Sequence, residues 1–151
     1  MDMRIETIPP YRIAYMRRTG AYGAGNSQLM ETFKGWMEEN HLWEEQTVIL
    51  GIAQDNPELV KPEECRYDVC LVITDNSSIR GDGVKFKDMD GGKYAVFKIR
   101  HTSEAVQKAW DGIFPELARQ ELAIDECRPV LERYRMELLN NQYCEICVPI
   151  K

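Results

Sequence analysis

"VLERYRME", residues 130–137, alternates like a β-strand, and one position is out of keeping with the rest. Side chains on a strand point to opposite faces in turn. Val130, Glu132, Tyr134 and Met136 therefore share one face, and Leu131, Arg133, Arg135 and Glu137 share the other. The first face is apolar except for Glu132. A carboxylate there loses its hydration unless a protein cation or a bound one stands beside it. The residues leave three readings open: a salt bridge to an arginine, a strand edge open to water, or a site whose ligand supplies the charge.

The chain has 151 residues and is 44% hydrophobic, enough for one domain, or two small fused modules, with a real core. No apolar run approaches the ~20 residues of a spanning helix, and the start lacks the basic-then-apolar layout of a leader peptide, so a cytoplasmic protein is expected. The net charge of −6, with basic residues scattered, argues against direct binding to nucleic acid or to a membrane surface. Five cysteines cannot all pair with one another. Cys144 and Cys147 form a CxxC, but it lies in the strand-like "YCEICVPI", where positions three apart face opposite sides. Buried, unreactive thiols and no metal site are expected.

Outward from the opening stretch, the pattern organises into two similar halves. "RIETIP" and "YRIAYMRRTG" read as strands joined at Pro9-Pro10. After the glycine-rich "TGAYGAG", a helix is predicted from Ser27 as N-cap, with Leu29, Met30, Phe33, Trp36 and Met37 on its apolar side and Glu31, Lys34, Glu38 and Glu39 on the other. "TVILGIAQ" and "CRYDVCLVIT" read as strands, the second ending at the turn "DNSS". Following "GVKFKDM" and the turn at Asp90-Gly91-Gly92, the order repeats. The strand "KYAVFKIRHT" leads to a helix from about Ser103 carrying Val106, Trp110, Ile113, Phe114 and Leu117, kinked or divided at Pro115. The strands "PVLERYRME" and "YCEICVPI", separated by the turn "LLNNQ", close the chain.

"YRIAYMRRTG" matches "YAVFKIRHTS", "YDVCLVI" matches "YCEICVPI", and each half has one helical tryptophan. The expected fold is α+β: duplicated β-α-β-β units, about 11–75 and 92–150, packed with pseudo-two-fold symmetry through antiparallel sheets. Aligning the third elements gives Gly51 the pseudo-symmetric place of Glu132 and Ala53 that of Tyr134. Small residues facing a glutamate and a tyrosine leave a ligand cavity between the halves. Trp36 and Trp110 fit either a core or a ligand cage, and the many tyrosines fit either strand propensity or an amphipathic lining.

The ordered set "YRIAYMRRTGAYG", a Trp helix, "QDNP", "RYDVCLVI", "GGKYAVFKIRHT", a second Trp helix, "LERY" and "EICVPI" resembles the GyrI-like small-molecule-binding domain over essentially the whole chain. That domain also serves as the effector-binding module of AraC-type and MerR-type multidrug-responsive regulators. The resemblance implies that Glu132, in the E-x-Y strand, lies at the floor of an aromatic pocket with Tyr134 beside it. Trp36, Trp110, Tyr22 and Gly51 complete the expected lining, with Cys147 where many members have a tyrosine. With strands running from near Met1 to Lys151, no helix-turn-helix segment is expected on either side, and no cofactor.

The function this implies is binding of hydrophobic, cationic small molecules, which neutralise the carboxylate while stacking on aromatic faces. Two further readings come from the same resemblance. One is a hydrolase of strained, cyclopropane-bearing toxins, with Glu132 as general base and Tyr134 as proton donor. The other is a protein partner of DNA gyrase or of a regulator.

Overall fold

In the computed structural model, which describes residues 2–73 and 83–151, the strands are β1 (Asp2–Ile8), β2 (Tyr11–Thr19), β3 (Val48–Ala53), β4 (Arg66–Ile73), β5 (Lys85–Met89), β6 (Gly92–Arg100), β7 (Leu131–Arg135) and β8 (Tyr143–Pro149). The helices are α1 (Ala24–Glu39), α2 (Ser103–Arg119) and the single turn α3 (Met136–Leu139). The predicted turn "DNSS" lies outside the described residues.

All eight strands belong to one antiparallel sheet in the order β1-β6-β8-β7-β3-β4-β2-β5. The order is unchanged in form when β2, α1, β3 and β4 are exchanged for β6, α2, β7 and β8. One feature was not read from the sequence: β1 pairs with β6 and β5 with β2, so each half receives its edge strand from the other. "GVKFKDM" thus contributes a strand of its own. At the centre, β3 and β7 pair with Gly51 opposite Glu132.

The sheet buries both faces. On one face Ile8, Ile13, Leu50, Val72, Met89, Val96, Leu131 and Cys147 form a single cluster. That cluster joins β1 to β5, the two edges, so the sheet curls around it. The Asp90-Gly91-Gly92 turn helps, because Gly91 lies against the Ile8–Pro10 backbone where a Cβ would not fit. On the outer face, Phe33, Trp36 and Met37 of α1 cover β2, β3 and β4, while Ala109, Ile113 and Leu117 of α2 cover β6 and β8. α1 buries Phe33, Trp36 and Met37 of its expected stripe, whereas on α2 Ile113 and Leu117 are buried as expected but Phe114 is exposed and Ala109 is buried instead. The outer face of β7 lies between them.

Three boundaries differ from expectation. α1 starts one turn early, at Ala24, because Gly23 adopts a φ of 137° that only glycine takes readily, and Ser27 is inside the helix rather than its cap. α2 runs unbroken through Pro115, whose ring is exposed, and its N-terminus is capped by the Thr102 hydroxyl accepting from the Ala105 amide at 3.1 Å. β7 ends at Arg135, so Met136 opens α3 and does not share the face of Glu132.

Candidate ligand site

A cavity of about 380 Å³ opens on the outer face between α1 and the centre of the sheet. Its floor is built from three adjacent strands: Ile49 of β3, Tyr67 of β4, and Glu132 and Tyr134 of β7. Met30 of α1 and Leu139 of α3 add apolar walls, and His101, just after β6, stands 5.5 Å from the Tyr134 ring, centre to centre.

Glu132 is held by two phenols. The Tyr134 hydroxyl donates to Oε2 at 2.8 Å, and the Tyr67 hydroxyl reaches Oε1 at 3.5 Å, the outer limit of a hydrogen bond. Tyr67 gets there because Gly51 has no side chain; a Cβ at that position would fall on the Tyr67 hydroxyl. Tyr22 braces the Tyr67 ring edge-on at 6.3 Å, with its own hydroxyl donating to the Arg66 carbonyl at 2.8 Å.

Arg133 and Arg135, the two arginines of β7, point to the face opposite Glu132, as strand alternation requires. Arg133 donates to Glu145 at 2.9 Å and to Glu6 at 2.8 Å, and Arg135 donates to the same Glu145 at 2.8 Å. Arg4 completes this cluster on Glu145 at 2.8 Å. Glu6 is held down to about 2, chiefly by the hydrogen bond from Arg133. Among the described residues no cation reaches ion-pair distance of Glu132, so the arginine reading of the opening stretch does not hold. Burial pushes the Glu132 carboxyl above its ordinary value, and the tyrosine hydrogen bonds only partly offset that. The same burial, with the neighbouring carboxylate, pushes both phenols up, so Tyr67 and Tyr134 stay neutral donors.

The remaining expected lining residues fall elsewhere. Trp36 and Trp110 turn to the sheet within the helix-packed cores, and Trp110 stacks on Phe114. Tyr22 and Gly51 act from behind Tyr67. Cys147 requires a correction: it pairs with Leu131 in the inner cluster, on the face opposite Glu132, because Glu132 pairs with Ile146 and the next residue along the strand must face away. Tyr67, Lys34 and His101 were not anticipated. For the helix, Ser27, Met30, Glu31 and Lys34 recur at i, i+3, i+4 and i+7, a second face beside the core stripe, and all four line the cavity.

The geometry defines a single α+β unit with an open pocket at the middle of its sheet. The GyrI-like small molecule binding domain model matches residues 1–151, and the chain belongs to that family. It is 42% identical to YosT of the SPbeta prophage in Bacillus subtilis (strain 168), which bears the name of a transcriptional regulator, over the full length of both chains. It is 26% identical to a DNA gyrase inhibitor of Cronobacter turicensis, covering 97% of this chain and 93% of that one. The fold is shared with the C-terminal domain of EcmrR, at a TM-score of 0.75 and 11% identity over 99% of this chain and 97% of that one. It is also shared with SAV2435 bound to tetraphenylphosphonium, at 0.62 and 14% identity, covering 100% and 94%.

Proposed function

We propose that this chain binds hydrophobic cationic small molecules, with Glu132 as the counter-ion at the floor and Tyr67, Tyr134 and His101 as aromatic walls. One observation carries the reading: a half-buried carboxylate on the pocket floor whose hydrogen-bond partners among the described residues are two neutral hydroxyls. Such a group is poorly compensated in the free protein. A lipophilic cation compensates it and brings apolar surface that rests on Met30, Ile49 and Leu139. The volume suits a small, drug-sized ligand. The shared fold of a protein bound to tetraphenylphosphonium makes that cation the natural probe. In a calorimetric titration, Glu132→Gln should weaken tetraphenylphosphonium about tenfold to a hundredfold, the range expected on losing a charged partner. Equal affinity in the two proteins would remove Glu132 from the site.

The short Tyr134 contact supports a second reading, hydrolysis of strained electrophiles. A carboxyl raised by burial is a better base, and a phenol 2.8 Å away can deliver a proton. Incubation with a cyclopropane-bearing electrophile should then give turnover that Glu132→Gln abolishes. Turnover no higher than in that variant would dismiss it.

A further inference from the structure

Glu132 is not the only charge in the cavity. Lys34 lines the same space from α1, half-buried, and among the described residues it makes neither an ion pair nor a hydrogen bond. It stands near enough to His101 that its charge, after burial, helps hold that imidazole below its usual value. His101 is therefore a neutral group that can donate or accept. Glu31 also borders the cavity, but it is exposed, where water and salt weaken its field, whereas Lys34 is partly withdrawn from both. A pocket meant for a plain cation gains nothing from an unpaired ammonium, which repels the ligand as it enters.

We infer that the cavity is matched to an amphoteric ligand, a hydrophobic cation that also carries an anionic group, with Glu132 receiving the positive end and Lys34 the negative one. The inference rests on the Glu132 reading above and adds the specificity determinant. The Ser27 hydroxyl, two helical turns from Lys34 on the same face of α1, adds a polar donor to the cavity wall. A ligand of this kind ends both unpaired charges at once. A plain cation answers one and is opposed by the other.

Two styrylpyridinium dyes differing only at the tip of the N-alkyl chain test this, one N-butyl and one N-(3-carboxypropyl), each read by its fluorescence on immobilisation. The full chain should bind the carboxylated dye more tightly than the butyl dye. Lys34→Gln, which keeps a strong helix former in α1, should weaken the carboxylated dye about tenfold, as expected for one charge-assisted contact, and leave the butyl dye unchanged or slightly tighter. Lys34→Arg should restore most of the loss. If Lys34→Gln leaves the ratio of the two affinities unchanged, the inference is overturned even where Glu132→Gln still weakens the butyl dye. A site for dications would also overturn it, by a loss of butyl-dye affinity in Glu31→Gln with no response of the carboxylated dye to Lys34. No binding of either dye would refute the cation reading itself, and this inference with it.

Discussion

Gly51→Ala should be destabilising for a reason located in another residue. A strand glycine ordinarily costs about 0.5–1 kcal/mol relative to alanine, and Gly51 has no left-handed φ that would require it, so backbone alone predicts a gain on substitution. The built Cβ, however, falls on the Tyr67 hydroxyl and lies 3.2 Å from Cζ of the same ring. The ring would be driven off Glu132, an overpacking error of about 1–3 kcal/mol. Tyr67→Phe removes the atom in closest conflict and leaves a ring that needs to give only a few tenths of an ångström. In that background Gly51→Ala should fall to within about 1 kcal/mol of neutral, so the pair should couple by about 1–3 kcal/mol. Urea unfolding of the wild type, both single variants and the double variant measures this, provided the slopes agree. An equal cost of Gly51→Ala in both backgrounds would refute the idea that the glycine exists to admit the tyrosine.

Three further outcomes follow from the same geometry. Glu132→Gln should raise stability at neutral pH by on the order of 1 kcal/mol, as replacements of strained functional groups do. Because the folded carboxyl is raised, the wild type carries this penalty above its folded pKa, and the difference should shrink as pH falls toward the ordinary glutamate value; a difference that grows on acidification would contradict the sign. Arg133→Met should cost about 3–5 kcal/mol by chemical denaturation, since it takes a cation from buried Glu145 and from Glu6, yet leave the response of cation binding to Glu132→Gln intact. Cys147→Ala should lower stability by about 1 kcal/mol without changing tetraphenylphosphonium affinity, and a change in affinity would place this thiol nearer the cavity than its strand parity allows.

The alternation of "LERYR" and the equivalence of Gly51 with Glu132 were legible because period-two patterning and the repeat alignment both survive without tertiary information, but the antiparallel pairing sets Ile49, and not Ala53, opposite Tyr134. Tyr67 was not legible, because its approach to Glu132 depends on the β3–β4 register, Ala53 opposite Tyr67, and on the gap at Gly51 two residues back along β3. Lys34 and Glu31 lie on a polar helix flank, which in sequence looks like any solvated surface. The exchange of β1 and β5 between halves is a pairing of distant segments, and local patterns do not encode it. Ile146, Cys147 and Val148 are all buried, so β8 carries no alternation to tell which of them faces the cavity.

The most direct test of the central claim is the pH dependence of tetraphenylphosphonium affinity in the wild type and in Glu132→Gln. Facing Glu132 are Tyr67 and Tyr134, which remain protonated, while His101 and Lys34 border the same cavity. Protons and the cation compete for one carboxylate, so wild-type affinity should fall as pH drops through the raised Glu132 pKa. The Gln variant should bind weakly, and its curve should lack that component. Superimposable curves, with the same affinity at neutral pH and the same slope into acid, would show that the Glu132 carboxylate is not the ligand's counter-ion.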